Sequence, residues 1–244
     1  MIHIFHSIDE LAVSLSGEMI RLASESVHAG RPCNIALSGG TTPGVLFEKI
    51  ASSTEDPGLW NGVNFFWVDE RCVPPDHQES NYRMTDETLI RPLSLSYDHV
   101  FRMMGEEEPH AEAKRYEALL RSALPSREGL PCFNLILLGM GKDGHTASIF
   151  PDQMDLLHSR RLCEVARHPG TGQQRITLTG PIINNADRVC FMITGPGKAG
   201  VLASILHHED GSIKYPAAHI KPDPGILEWY VDEEAAKSLD HKRG

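Results

Sequence analysis

The sequence has no run of hydrophobic residues approaching the roughly 20 that a membrane-spanning helix requires. Its N-terminus, Met-Ile-His-Ile-Phe-His, lacks the basic segment and apolar stretch of a secretory signal peptide. It also contains no internal repeat, low-complexity tract or long linker, and its 244 residues are a length that one α/β domain can occupy. We therefore expect a single domain over residues 1–244, located in the cytoplasm and without a membrane partner.

Paired cysteines are absent as well. The five cysteines are scattered, and no two of them form a Cys-x-x-Cys pair. Three of them lie inside apolar runs, which argues against a zinc site or a disulfide framework and favours reduced, buried thiols.

The sequence has fewer positively than negatively charged residues, with 23 lysines and arginines against 33 aspartates and glutamates, so its formal net charge is −10. Nucleic acids and anionic membranes select basic surfaces, so neither is expected to be the main partner. A small anionic metabolite is still allowed where a few cations converge.

Apolar runs of strand length alternate with segments of helical periodicity, a pattern that predicts an α/β fold with a mainly parallel sheet flanked by helices. The strand runs are continuously apolar, as expected for strands buried on both faces. The predicted strands are residues 33–37, 63–68, 133–138 and 189–193. The predicted helices are residues 8–29, 43–52, 109–124 and 198–208, and the segments expected to be irregular are 151–175 and 207–226.

Polar, glycine-rich segments directly follow these strands, at the carboxyl ends where open α/β sheets bind ligands. The first is Ser38-Gly39-Gly40-Thr41, in front of a predicted helix. Glycines allow backbone N–H groups to approach a ligand, and a helix N-terminus favours negative charge, so the segment suits a phosphate. A tight strand-to-helix turn without a ligand is an equal alternative, and the segment is not a Walker A loop.

The second segment contains Asp69, Glu70 and Arg71, followed by Ser80-Asn81-Tyr82-Arg83. Its carboxylates and arginines could position a hydroxyl group and stabilise a developing oxyanion, although a surface ion pair is the commoner role of such residues. We do not expect Cys72 to act as a nucleophile.

The third segment, residues 139–148, matches the dinucleotide fingerprint G-x-G-x-x-G and is followed by Glu164. A dinucleotide site needs a full helix after the third glycine, and Pro151 comes only seven residues later, so we expect no bound nucleotide. His145 is expected at a helix N-terminus, which would keep its imidazole neutral as a base, with Asp143 to orient the ring. A purely structural histidine is the alternative.

The fourth segment contains Arg175, in a short strand pattern, and Lys198, which opens a helix behind Gly195-Pro196-Gly197. Either side chain could be a solvated surface charge. Together with the Ser38–Thr41 turn, they could give a phosphate both backbone donors and two cations.

These segments, in this order, closely resemble the 6-phosphogluconolactonase family, which is related to the glucosamine-6-phosphate deaminases/isomerases. The matching motifs, which span residues 34 to 200, are Ser38–Thr41, Asp69–Arg71 with Val73–Pro74, Ser80–Tyr82, Gly141–Ser148 with Phe150–Pro151, Arg175–Thr179 and Gly197–Lys198.

The resemblance implies a modified Rossmann-like fold with no nucleotide bound, in a single catalytic domain. It implies hydrolysis of 6-phospho-D-glucono-1,5-lactone to 6-phosphogluconate, the second step of the oxidative pentose phosphate pathway, with no cofactor and no metal required. His145 matches the family's proposed base. Ser38, Gly39, Gly40, Thr41, Arg175 and Lys198 match the phosphate-binding residues.

The residue chemistry agrees with this function, because lactone hydrolysis needs a neutral base, an oxyanion donor and a proton for the departing ring oxygen. We assign the base and the proton donor to His145, assisted by Asp143 or Asp69, and substrate charge near the lactone to Arg71.

Three other functions are alternatives to lactone hydrolysis. In the deaminase/isomerase a glutamate stands five residues after the histidine, and here that position is Phe150. A sugar-phosphate sensor without chemistry would not need His145, and a dinucleotide-dependent oxidoreductase would have to bind NAD(P)H. The sequence leaves the oligomeric state open.

Overall fold

The computed structural model describes residues 1–239 of the chain. The strands are β1 (Ile2–Phe5), β2 (Cys33–Leu37), β3 (Val63–Trp67), β4 (Asp69–Arg71), β5 (Val100–Phe101), β6 (Ser126–Arg127), β7 (Leu130–Pro131), β8 (Leu135–Leu138), β9 (Cys163–Arg167), β10 (Gln174–Leu178), β11 (Arg188–Ile193) and β12 (Ile226–Asp232). The α-helices are α1 (Ile8–His28), α2 (Thr41–Ser53), α3 (Asn81–Thr85), α4 (Pro109–Ala123), α5 (Gly180–Asn184), α6 (Ala199–Leu206) and α7 (Glu233–Ala236).

A seven-stranded sheet forms the centre of the described residues, in the order β1-β12-β11-β8-β2-β3-β5. Every neighbouring pair in this sheet is parallel. All residues of β2 and β8 are buried, because helices cover both faces of the sheet, and this explains their continuous hydrophobic sequence. The predicted α/β architecture is confirmed.

Helix α1 shows how the sequence sets an element's limits. The Ser7 hydroxyl accepts the Glu10 N–H at the first turn, where it satisfies a donor that has no partner inside the helix. Leu11, Leu15 and Met19 recur at a spacing of four residues and are buried against the sheet. None of the helices in residues 1–239 is both long and apolar enough to cross a membrane.

The predicted limits of the central strands and the main helices are close to the observed ones, but several strands were not predicted, among them β1, β9 and β12. β1 and β12 form one edge of the large sheet, and their exposed or polar side chains interrupt the hydrophobic signal. β9 lies inside the segment expected to be irregular, because Glu164 and Arg167 place charges in a strand of the smaller sheet.

An antiparallel sheet in the order β4-β10-β9 joins the large sheet at Val68. The Val68 N–H donates to the Leu37 carbonyl at 2.9 Å, and the Val68 carbonyl accepts the Leu178 N–H at 2.8 Å. One residue thus connects the end of β2 with β10. As a result, β4 and β10 extend beyond the carboxyl ends of the parallel strands.

Candidate active site

A cavity of about 310 Å³ lies at the carboxyl ends of β2, β8 and β11, beside β4 and β10. Each of the four predicted segments contributes to its wall, so their predicted convergence is confirmed. The lining residues are Ser38–Pro43, Asp69, Arg71, Asn81, Gly139–Lys142, His145, Ala147, Arg175, Met192 and Lys198. A larger cleft of about 600 Å³, beside α6 and β12, is lined by none of the residues selected from the sequence.

The turn from Ser38 to Thr41 connects β2 to α2, and its two glycines have separate structural reasons. Gly40 has φ of 112°, a conformation that residues with a Cβ rarely adopt. A Cβ on Gly39 would overlap the side-chain amide of Asn81. No side chain caps the N-terminus of α2, so its first N–H groups face the cavity without a competing acceptor from a cap.

His145 is held by its neighbour Asp143. Its Nδ1 lies 2.6 Å from Asp143 Oδ1, which also accepts the His145 backbone N–H at 3.2 Å. Because an ionised carboxylate only accepts hydrogen bonds, Nδ1 carries the proton in the neutral ring and Nε2 is the basic nitrogen. The His145 side chain is 27% exposed, so solvent reaches it at the cavity wall.

The expectation that His145 begins a helix is wrong. Residues 141–150 form a series of turns, in which Thr146 and Ile149 exchange backbone hydrogen bonds and Ala147 has φ of 48°. The glycines therefore lead into a reversal of the chain that ends at Pro151, and no helix begins at His145 whose dipole would act on its imidazole. The same finding removes the helix that a dinucleotide site would need.

Phe150 packs beneath the histidine. Its ring centroid lies 4.9 Å from that of His145, and the Arg175 guanidinium carbon lies 5.7 Å from the Phe150 centroid. Phe150 is buried. The aromatic ring therefore links the candidate base to a cation of β10.

Asp69 forms hydrogen bonds with groups other than His145. Its Oδ2 accepts the Ser148 hydroxyl at 2.6 Å, and its backbone carbonyl accepts the Asn81 side-chain amide at 2.9 Å. Asp69 is buried, as are Ser148 and Asn81. Of the two carboxylates considered as helpers of His145, Asp143 is the one in contact.

Glu70 fixes the path of the chain around the site. Its carboxylate accepts the backbone N–H groups of Arg71, Asn81 and Tyr82, each at 2.8 Å, and the Ser80 hydroxyl at 3.0 Å. Burial raises the pKa of Glu70, and these hydrogen bonds oppose the shift. The carboxylate thereby ties β4 to the start of α3, next to Asp69 and Arg71.

Two arginines face each other across the β4–β10 pair, where Arg71 and Arg175 are register partners. Arg71 Nη1 donates to the Glu79 carbonyl at 2.6 Å. Within residues 1–239, the buried Nε atoms of both arginines have no hydrogen-bond partner. Burial lowers the pKa of Arg175, against the opposing effect of the Asp69 charge. Buried donors without an acceptor are unusual in proteins and suit an anionic ligand.

Lys198 also lines the cavity, at the start of α6. Burial lowers its pKa, the Asp232 charge raises it, and the charge of Lys142 lowers it further. The pKa of Arg175, by contrast, is affected by the charges of Asp69, Arg71 and the nearby glutamates. The two cations predicted to act together thus belong to separate groups that line one cavity.

The remaining chemistry of the described residues is limited. Between residues 1 and 239 there is no group of three or more histidine, cysteine, aspartate or glutamate side chains that could hold a metal ion. Burial raises the pKa of the Cys72 thiol to about 11, so little reactive thiolate is present near neutral pH.

The fold is that of an α/β protein with a parallel sheet. Its cavity combines a glycine-rich turn, an oriented histidine and cations without a salt bridge, which suits a small anionic substrate. A family model for glucosamine-6-phosphate isomerases/6-phosphogluconolactonase matches residues 6–229. The chain belongs to this family.

Individual relatives agree with the family match. The chain is 44% identical over 179 residues to the 6-phosphogluconolactonase of Treponema pallidum, which covers 73% of this chain and 74% of that protein. It is 37% identical over 235 residues to the 6-phosphogluconolactonase of Haemophilus influenzae, with 96% of each covered. The crystal structure of a protein called devB superimposes with a TM-score of 0.91 at 38% identity and covers 98% of this chain and all of that one.

Proposed function

We propose that the chain hydrolyses 6-phospho-D-glucono-1,5-lactone to 6-phosphogluconate, with His145 as the general base. The observation that carries the proposal is the His145–Asp143 pair on the wall of a cavity that also presents unpaired cations. The names of the Treponema and Haemophilus relatives support the choice of substrate. A lactone hydrolase of this kind acts in the oxidative pentose phosphate pathway.

In the proposed mechanism, His145 Nε2 removes a proton from water while the water oxygen attacks the lactone carbonyl carbon. The carbonyl oxygen becomes an oxyanion, and Asp143 stabilises the imidazolium that forms. When the tetrahedral intermediate collapses, the bond to the ring oxygen breaks and the imidazolium returns its proton to that oxygen. The new carboxylic acid then loses a proton to solvent, and the histidine is neutral again.

Arg71 and Arg175 are proposed to stabilise the oxyanion and the product carboxylate. The support for this is the contact of the Phe150 ring with both His145 and Arg175. Such preorganised charge stabilises the transition state more than the neutral substrate. The assignment differs from the sequence-based one, which grouped Arg175 with the phosphate.

The phosphate is proposed to bind at the opposite side, between Lys198 and the turn from Ser38 to Thr41. Thr42 Oγ1 and Thr194 Oγ1 lie 2.7 Å apart and join this turn to the segment that precedes Lys198. The uncapped N-terminus of α2 supplies backbone donors, and Lys198 supplies charge.

The test is a rapid assay with freshly generated 6-phosphogluconolactone, corrected for spontaneous hydrolysis. Product formation well above the protein-free rate is expected. A rate equal to that control would refute the function. Release of ammonia from glucosamine 6-phosphate would favour a deaminase instead. The sequence argues against that activity, because Phe150 and not a glutamate stands five residues after His145. The single catalytic domain and the cytoplasmic location stay predictions.

A further inference from the structure

A second lysine lies at the phosphate side of the cavity. Lys142 lines the cavity, and its side chain runs along Gly197, the residue before Lys198. A Cβ on Gly197 would lie 2.9 Å from Lys142 Cε and 3.5 Å from Lys142 Nζ. The absence of a side chain at position 197 therefore makes room for the Lys142 side chain beside Lys198.

The two ammonium groups repel each other, since the charge of Lys142 lowers the pKa of Lys198. Asp232 is the carboxylate whose charge acts on Lys198, and its oxygens already accept the N–H groups of Gly195 and Ala235. In the part of the chain that the structure describes, the side-chain ammonium group of neither lysine forms a hydrogen bond or a salt bridge. An anion between them would relieve the repulsion and satisfy both groups.

We propose that Lys142 is a specificity-determining residue that binds the phosphate dianion together with Lys198. This inference rests on the proposed function and assigns a residue to its phosphate end. Lys142 is exposed, so a solvated surface charge is the competing interpretation. A solvated lysine would not change how the enzyme distinguishes a phosphorylated substrate from one without phosphate.

The experiment compares Lys142→Met, which keeps the length of the side chain and removes its charge, with Lys114→Met. Lys114 is exposed on α4 and does not line the cavity. We measure kcat/KM on 6-phosphogluconolactone and on gluconolactone. Lys142→Met should lower the ratio of the two values about three- to tenfold, mainly through KM, as expected for a charged contact that is partly exposed to water. Lys114→Met should leave the ratio unchanged.

Calorimetric titration with 6-phosphogluconate and gluconate gives a second readout that needs no catalysis. The affinity for 6-phosphogluconate should fall by a similar factor in Lys142→Met. An unchanged substrate ratio together with unchanged affinity for 6-phosphogluconate would overturn the inference. If the wild type has no lactonase activity at all, the proposed function fails, and the titration still decides whether Lys142 binds a phosphate.

Gly197→Ala tests the packing that positions Lys142. The added Cβ should displace the Lys142 side chain and lower the same substrate ratio in the wild-type background. In the Lys142→Met background the added effect should be smaller, because the charge that is displaced is already gone. Equal effects in both backgrounds would contradict the placement of Lys142 over Gly197.

Discussion

Replacement of Glu70 by glutamine tests whether the Glu70 carboxylate holds the site together. One carboxylate oxygen accepts the N–H groups of Arg71 and Asn81, and the other accepts the Tyr82 N–H and the Ser80 hydroxyl. A glutamine has only one acceptor oxygen, so its NH₂ group must face at least one buried backbone N–H. A buried donor left without a partner costs about 1–3 kcal/mol.

In a domain of this size, that loss corresponds to a fall in Tm of roughly 2–12 °C, at about 2–4 °C per kcal/mol. Urea and thermal unfolding followed by circular dichroism measure the change. Glu70→Ala should be less stable than Glu70→Gln, because it removes every acceptor. Glu107→Gln is the matched control, since the Glu107 side chain is exposed. The reasoning fails if Glu70→Gln unfolds within about 0.5 kcal/mol of the wild type, the range of ordinary surface substitutions.

Four further predictions concern catalysis and substrate binding. His145→Ala should lower kcat by about 10²–10⁴ with an unchanged circular dichroism spectrum, and a change below about threefold would exclude His145 as the base. Cys72→Ala should keep its activity and show no burst phase, because the pKa of this thiol is raised to about 11 and the nucleophile is water; covalent trapping of substrate on Cys72 would contradict this. Lys198→Ala should raise KM about ten- to 150-fold for the phosphorylated lactone and reduce its preference over gluconolactone. Arg175→Ala should lower kcat on both lactones. A loss confined to the phosphorylated lactone would show instead that Arg175 binds the phosphate.

The central strands could be predicted because burial on both faces leaves a continuous apolar run, and the long helices because burial on one face leaves a periodic hydrophobic pattern. β2 was predicted with its observed limits, and α1 to within one residue. The edge strand β1 and its neighbour β12 carry exposed or polar residues, so their sequences lack that signal. β9 owes its conformation to pairing with β10, a contact between distant parts of the chain that periodicity does not reveal.

The candidate site was predictable where residues lie in glycine-rich turns after strands, as His145 and the Ser38–Thr41 turn do. Ser148 and Asn81 were present in the motifs but received no role, because their contacts with Asp69 depend on how three separate segments meet. The prediction of a helix at His145 was wrong, because the hydrogen bonds between Thr146 and Ile149 form a turn that reverses the chain.

The site must attract an anion although the chain carries a net charge of −10. Three carboxylates whose charges act on its cations are engaged by uncharged donors: Asp69 by the Ser148 hydroxyl, Glu70 by three backbone N–H groups, and Asp232 by the Gly195 and Ala235 N–H groups.

Because backbone and hydroxyl donors satisfy these acids, Arg71, Arg175 and Lys198 form no salt bridge in the described part of the chain. Charges on the remote surface are screened beyond roughly 8 Å at physiological salt, so the charges at the cavity itself, including these cations, determine the potential that a substrate meets there. Under the proposed function, an acidic protein can bind a phosphorylated lactone because the carboxylates near the site accept hydrogen bonds from uncharged donors and form no salt bridge with these three cations.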